Sequence, residues 1–225
     1  SGLSKNTIVI FMTDNGTAAG NRGSMRDGKG SEYEGGHRVP CFIRWPEGGL
    51  GGGQDVPHVT AHVDLLPTLL DYCGLDSDST MPFDGISLRP WLSDMSRPAP
   101  DRAIVVDSQR IEHPEKWRKS AVLEGRWRLV NGTELYNVER DPSQKNDVAG
   151  DHPEVVTRLR DHYETWWSGT SADFGAYCPI VLGAEGVGTA RLTCHDWHAP
   201  IEQLPWNQPH IRKGKVGNGF WAVEA

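Results

Sequence analysis

The sequence predicts an α/β fold, followed by a small antiparallel sheet packed by one helix and then by an irregular, β-rich tail. Three observations predict it. Residues 7–12 form an unbroken, β-branched apolar run, the pattern of a strand buried on both faces of a parallel sheet. A helical spacing of leucines follows Asp64. Between residues 103 and 137, four short β segments alternate with turn residues, and a helical period opens at Pro153.

Taken in order, Gly2-Leu3 reads as the end of a helix, with glycine at the left-handed cap position. No helix precedes it in these residues, so the expectation is a C-terminal piece of a longer protein. A parallel strand at 7–12 points the same way, because part of its crossover partner should lie upstream. Residues 13–36 are rich in Gly, Asn and Asp and form a long loop at the carboxyl end of that strand. Long loops in compact domains are usually functional, and open α/β sheets bind ligands at the carboxyl ends of their strands. A second strand is expected at 39–44, closed by Trp45-Pro46 and a glycine-rich turn at 48–53. Asp64 is expected to cap a helix running to Cys73, with Pro67 in its first turn and Gly74 at its end. Leu65, Leu66, Leu69 and Leu70 would be its buried stripe.

A proline-containing linker at 94–101 sets an expected division into 1–93, 94–168 and 169–225. Strands are expected at 103–106, 119–123, 126–130 and 134–137, with hairpin turns at Gly125 and Asn131-Gly132. The helix at 153–167 would bury Val156, Leu159, Tyr163 and either Trp166 or Trp167. The tail is rich in Gly, Pro and Trp, with a strand expected at 220–223. Because the sequence stops just after that strand begins, a second truncation is expected there.

Composition excludes some functions. A net charge of −7 disfavours nucleic acid and anionic membranes as partners. No apolar run approaches the roughly 18 residues of a membrane span. Cys41, Cys73, Cys178 and Cys194 match no zinc spacing. Cys178 and Cys194 are near enough in sequence to pair in an oxidising compartment, and buried free thiols are the equal alternative. The nine tryptophans include Trp127 and Trp166 at core-facing positions, with Trp197, Trp206 and Trp221 as candidates for exposure. The cluster His195-Asp196-Trp197-His198 lacks a third donor at metal spacing and reads as an ordinary loop.

The chemistry concentrates at Thr13-Asp14-Asn15-Gly16, where the first strand ends. A carboxylate beside an amide carbonyl offers hard oxygen ligands, suited to Ca²⁺ or Mg²⁺. Strand neighbours point to opposite faces, so the chain must turn for both to reach one ion, and Gly16 permits that turn. The plain alternative is an Asx-Gly turn closing a strand. Further along, Gly28-Lys29-Gly30 places an ammonium between two glycines on the same loop, where it can meet a bound anion.

Together with Tyr33-Glu34-Gly35-Gly36, these stretches resemble the sulfatase family, which ends a core strand in Asp-Asn-Gly and then carries Gly-Lys-Gly and Tyr-Glu-Gly-Gly segments. His62-Val63-Asp64-Leu65-Leu66-Pro67-Thr68, Asp84-Gly85-Ile86-Ser87-Leu88, Glu134-Leu135-Tyr136-Asn137 and Asp141-Pro142 extend the resemblance across residues 5–167. Residues 190–223 resemble the tail of some bacterial arylsulfatase-like proteins by a looser pattern. The resemblance implies the C-terminal part of an alkaline-phosphatase-like mixed sheet sandwich. It implies calcium, with magnesium as an alternative, bound by Asp14 and Asn15, and a Lys29 contact to the sulfate oxygens. Gly16, Glu34, Gly35 and Gly36 would shape the loop, and Arg38 would be a structural ion-pair partner. His37 is a candidate substrate contact, with a surface histidine the plainer reading.

The resemblance also implies a formylglycine nucleophile made from a Cys/Ser-x-Pro-x-Arg motif. None of the four cysteines opens such a motif, and Ser96-Arg97-Pro98-Ala99-Pro100 has proline where arginine is required. The nucleophile and the remaining ligands are therefore expected upstream of Ser1, and these residues alone should catalyse nothing. The expected partners are a sulfated small molecule or glycan, the missing N-terminal half, and a second copy through exposed sheet edges. A periplasmic or secreted location follows from the resemblance alone. Two other functions remain open: a phosphatase or phosphonate hydrolase of the same superfamily, and a carbohydrate-binding module using the Trp-rich tail. Phosphatase relatives usually carry Asp-His where this sequence has Asp14-Asn15.

Overall fold

The computed structural model describes residues 2–20, 22–77, 82–109, 111, 113–183, 185–186, 188–193, 196–198, 212–214 and 217–224. They form two compact units. The first comprises residues 1–108 and 119–163, and the second residues 109–118 and 164–225.

In the first unit, β1 (Val9–Met12), a short α1 (Glu34–His37) and β2 (Cys41–Arg44) come first. β1 pairs antiparallel with β2, Val9 opposite Arg44 and Met12 opposite Cys41. This corrects the expectation of a strand buried on both faces of a parallel sheet. Ile8, Ile10 and Ile43 face inward around a small cavity shared with Leu65, Leu69 and Tyr72. Val9, Phe11 and Phe42 face outward at 50%, 63% and 65% exposure. An apolar run of this kind is buried on both faces only if something covers both, and no described element covers the second.

α2 (Leu65–Cys73) ends on Gly74 at φ 62°, the left-handed cap the sequence predicts. Two details differ. The Asp64 side chain does not cap the helix but turns away from it, and Leu66 is 55% exposed while Thr68 is buried. The Thr68 hydroxyl donates to the Asp64 carbonyl at 2.6 Å and accepts the Leu88 amide at 2.8 Å. α2 is thereby tied to the segment before α3 (Arg89–Ser93).

β3 (Ile104–Asp107), β4 (Ser120–Glu124), β5 (Trp127–Val130) and β6 (Glu134–Asn137) form an antiparallel meander in sequence order. The turns fall where predicted, with Gly125, Asn131 and Gly132 all at positive φ. Register assigns the two faces. Val122, Leu129 and Leu135 share one face, and all three are fully buried. Toward it lies α4 (Pro153–Thr170), which buries Val155, Leu159 and Tyr163. Val155 takes the place expected for Val156, because the buried stripe runs at strict four-residue spacing. Glu124 receives Arg158 of α4, and the Arg160 guanidinium donates to the Gly132 carbonyl at 2.8 Å. The opposite face carries Ala121, Leu123, Val130 and Tyr136, and Tyr33 packs into that cluster. The sheet is thus covered on both faces, not by the one helix alone.

In the second unit, β7 (Ile180–Val181) pairs parallel with β8 (Val223–Glu224). Phe220 bridges His198 just before β8. Trp197 and Trp221 are half-buried, with ring centroids 5.5 Å apart. Trp206, His195 and the Cys178–Cys194 pairing involve residues outside those described. Among the described residues, no helix is long and apolar enough to cross a membrane.

Candidate active site

The chain leaves β1 at Met12 and turns at once. Thr13 Oγ1 donates to the Asn15 carbonyl at 3.2 Å, and Asn15 Nδ2 donates to the Gly16 carbonyl at 3.0 Å. The Gly16 amide donates to the Gly36 carbonyl at 2.9 Å. A Cβ on Gly16 would stand 1.8 Å from the Gly35 carbonyl oxygen, so no larger residue fits without moving the backbone. The loop then folds back on itself. The Lys29 amide donates to the Thr17 carbonyl at 3.0 Å, and a Cβ on Gly28 would lie 2.4 Å from the same oxygen. Gly30 sits at φ 83°. The glycines flanking Lys29 thus serve close approach on one side and a left-handed turn on the other. The result brings 13–17, 28–30 and 35–36 together, with Asp14 and Lys29 exposed and Asn15 half-buried.

Beneath this loop lies a buried charge network. Glu34 is 1% exposed. Its carboxylate accepts Arg128 Nε at 2.5 Å, lies 3.3 Å from Arg38 Nη1 and 3.3 Å from His37 Nε2, and its amide donates to Gln144 Oε1 at 2.8 Å. Burial pushes the Glu34 carboxyl up, but the hydrogen bonds from His37 and Arg128 and the Arg128 charge outweigh it, holding it at about 2. His37 is not a surface histidine: its side chain is 10% exposed, and its Nδ1 is buried with no partner among the described residues. It packs inward because Glu34, one helical turn back, offers an acceptor.

Arg26 joins the same loop to the sheet a second time. Its guanidinium lies 3.6 Å from the Tyr33 ring centroid and donates to Tyr136 Oη at 3.1 Å and the Gln144 carbonyl at 3.0 Å. Both tyrosine hydroxyls donate to Glu134, at 2.9 and 2.5 Å. Burial and the Glu134 carboxylate raise the Tyr136 hydroxyl to about 12. A third carboxylate, Asp64, is fully buried and takes both Arg102 terminal nitrogens at 2.7 and 2.6 Å. Burial alone would raise its carboxyl, but the Arg102 bonds and two backbone amides hold it below the usual range.

Sequence reasoning missed Arg26, Arg128, Gln144 and Arg102. Arg128 left a signal, a charge inside the otherwise apolar Trp127-Arg128-Leu129-Val130. Gln144 left none, since a turn glutamine looks solvated.

The residues at the strand end fit a hard divalent cation. The donor set is a carboxylate and an amide oxygen, and tying Asn15 Nδ2 to Gly16 leaves Oδ1 uncommitted. The close approach at Gly16 fixes the turn that follows the pair. Among the described residues no group of three or more His, Cys, Asp or Glu converges on a metal position. Two side chains leave most of a shell of about 6–8 oxygens to other donors.

Known proteins place the chain. The family model described as Sulfatase matches residues 1–75. A steryl-sulfatase of Mus musculus is 33% identical over 123 residues, covering 50% of this chain and 18% of that protein. A choline-sulfatase of Rhizobium meliloti (strain 1021) is 28% identical over 172 residues, covering 72% of this chain and 31% of that protein. Among solved structures, Ps i-CgsB in complex with k-i-k-neocarrahexaose matches with a TM-score of 0.64 at 29% identity, over 73% of this chain and 37% of that one. A 2-O GAG sulfatase matches in fold with a TM-score of 0.54 at 20% identity, over 79% of this chain and 40% of that one. The fold is therefore the α/β, alkaline-phosphatase-like fold of these enzymes. Residues 1–75 match the sulfatase family, and the chain spans less than a third of the two relatives' length.

Proposed function

We propose that the protein containing these residues hydrolyses sulfate esters of aryl or carbohydrate alcohols. The observation that carries this reading is the closed loop. The Lys29 amide bonds to Thr17, so the lysine sits on the same folded loop as Asp14 and Asn15 at the carboxyl end of β1. In this reading Asp14 and Asn15 hold one divalent cation, calcium or magnesium. Such a cation supplies Lewis-acid polarisation of a sulfate oxygen. The Lys29 ammonium offsets charge on the non-bridging oxygens as the S–O bond lengthens. Gly28 and Gly30 fix where the Lys29 backbone lies, so little reorganisation is needed at the moment of reaction. Glu34 acts only through shape, because its carboxylate is spent on Arg128. The nucleophile, a formylglycine, is supplied by residues other than these, as are the remaining ligands. A periplasmic or secreted enzyme acting on a sulfated small molecule or glycan completes the reading.

Asn15 favours this over the phosphatase reading. An imidazole there would serve a second or softer metal, and a phosphate monoester carries nearly two charges where a sulfate ester carries one. The test compares an aryl sulfate with the matching phosphate ester in the protein that carries the whole domain. Sulfate should be turned over much faster. Asp14→Ala should abolish calcium-dependent turnover. Lys29→Ala should lower kcat on the order of 10²-fold with a smaller change in KM. A preference for the phosphate ester, or full turnover by Lys29→Ala, would sink the proposal.

A further inference from the structure

We propose that His62 is a positioning residue for the Asp14–Asn15 pair, acting by fixing the backbone carbonyl that precedes it. His62 Nε2 lies 3.1 Å from the Thr13 carbonyl oxygen, across a sequence separation of 49 residues. A carbonyl only accepts, so Nε2 carries the hydrogen in this contact. The Thr13 carbonyl and the Asp14 amide belong to one rigid peptide plane. Holding that plane restrains the backbone rotations on either side of it, and with them the direction in which the Asp14 side chain leaves the chain.

The histidine can do this because its own backbone is held firmly. It opens a single turn, His62–Asp64, whose last residue is the fully buried Asp64. Asp64 takes the Ala61 amide at 2.8 Å and the Ile86 amide at 3.0 Å in addition to both Arg102 nitrogens. Gly85 packs so closely behind the turn that a Cβ there would stand 2.0 Å from the Val63 carbonyl oxygen. A fixed turn therefore presents an exposed ring to the end of β1. On the far side of the pair, the Gly16 amide is held by the Gly36 carbonyl at 2.9 Å. Asp14 and Asn15 lie between two clamps, one wholly backbone and one a side chain. Only the second can be removed without disturbing the loop glycines.

This inference rests on the reading of Asp14 and Asn15 as metal ligands. Ordering them before the cation arrives would raise affinity without adding a contact to the metal, the part usually played by groups that orient ligands.

The experiment uses the 225-residue chain, labelled for NMR and titrated with calcium to high millimolar concentration. It compares the wild type with His62→Leu and His62→Gln; the glutamine amide can reach where Nε2 lies. The expected result is calcium-dependent shifts at the Asp14 and Asn15 amides, weakened on the order of 10-fold in His62→Leu and largely restored in His62→Gln. Metal-free hydrogen exchange at Asp14 should quicken in His62→Leu only, and melting midpoints should match, because the ring is exposed. Calcium shifts at Asp14 with wild-type affinity in His62→Leu would overturn the inference and leave the metal reading standing. No calcium shift at Asp14 or Asn15 in the wild type would overturn the metal reading and the inference with it.

Discussion

The β1–β2 pair and the β4–β5 pair are built from the same kind of sequence, yet they bury it differently. β1 reads Val-Ile-Phe-Met and β4 reads Ser-Ala-Val-Leu-Glu, and each pairs antiparallel with its neighbour. In β4 and β5, Ala121, Val122, Leu129 and Val130 are fully buried, because α4 covers one face and the Tyr33–Glu34 segment the other. In β1 and β2, one face packs on α2 and the other leaves Phe11 and Phe42 open. The difference lies not in the strands but in what is brought to them. For β5 the covering segment lies 94 residues away in sequence, and a buried ion pair brings it there.

If that pair joins loop to sheet, breaking it should have the largest effect in the chain. Arg128→Ala leaves the Glu34 carboxylate buried and uncompensated, and should destabilise the chain by about 3–5 kcal/mol in urea unfolding. Replacing both partners, as in Glu34→Leu with Arg128→Met, should recover most of that loss, since a well-packed apolar pair can substitute for a buried ion pair. A cost below about 1 kcal/mol for Arg128→Ala would mean that packing around Tyr33 and Tyr136 makes the join.

Acid should reach the same join more gently. Glu34 titrates at about 2 in the folded chain against an ordinary value of 4.5. A depressed carboxyl stabilises the fold fully above its unfolded value, and that contribution fades as pH falls from about 4.5 toward 2. In Glu34→Gln this part of the acid sensitivity should vanish, with lower stability at neutral pH. An unchanged slope between those pH values in Glu34→Gln would assign the acid response to other carboxylates, such as Asp64.

The same contrast sets what was legible in the sequence. Strand and turn positions between 120 and 137 were readable because local chemistry decides them. Gly125, Asn131 and Gly132 need positive φ wherever the sheet ends up. The turn after the first strand was readable for the same reason, since Gly16 stands where a side chain would strike the Gly35 carbonyl. Burial was not readable, because it depends on the partner. The run at 7–12 looked like a strand covered twice, and the leucines after Asp64 looked like one buried stripe. Asp64 itself looked like a cap, since a helix start is the nearest use for its carboxylate, while Arg102 lies 38 residues on. His62 looked like part of a motif and not like a contact to Thr13.

The smallest expected effect bears on the open face. Phe11 is 63% exposed, and its nearest described aromatic neighbour is Phe42, at 6.2 Å between centroids. Phe11→Ser removes that pair and little else, so the loss should be at most about 1 kcal/mol. The change in association should be larger than the change in stability. Apolar side chains beside a strand edge are a template for pairing with a second copy, and a hydroxyl there weakens it. Light scattering across a concentration series should show a mass that rises with concentration for the wild type and a flatter series for Phe11→Ser. Val122→Ser, at the fully buried counterpart in β4, should instead cost about 1–3 kcal/mol, less than the broken ion pair. If Phe11→Ser destabilised the isolated chain as strongly as Val122→Ser, the outer face of β1 would have to be covered in solution, and the contrast between the two strand pairs would fail.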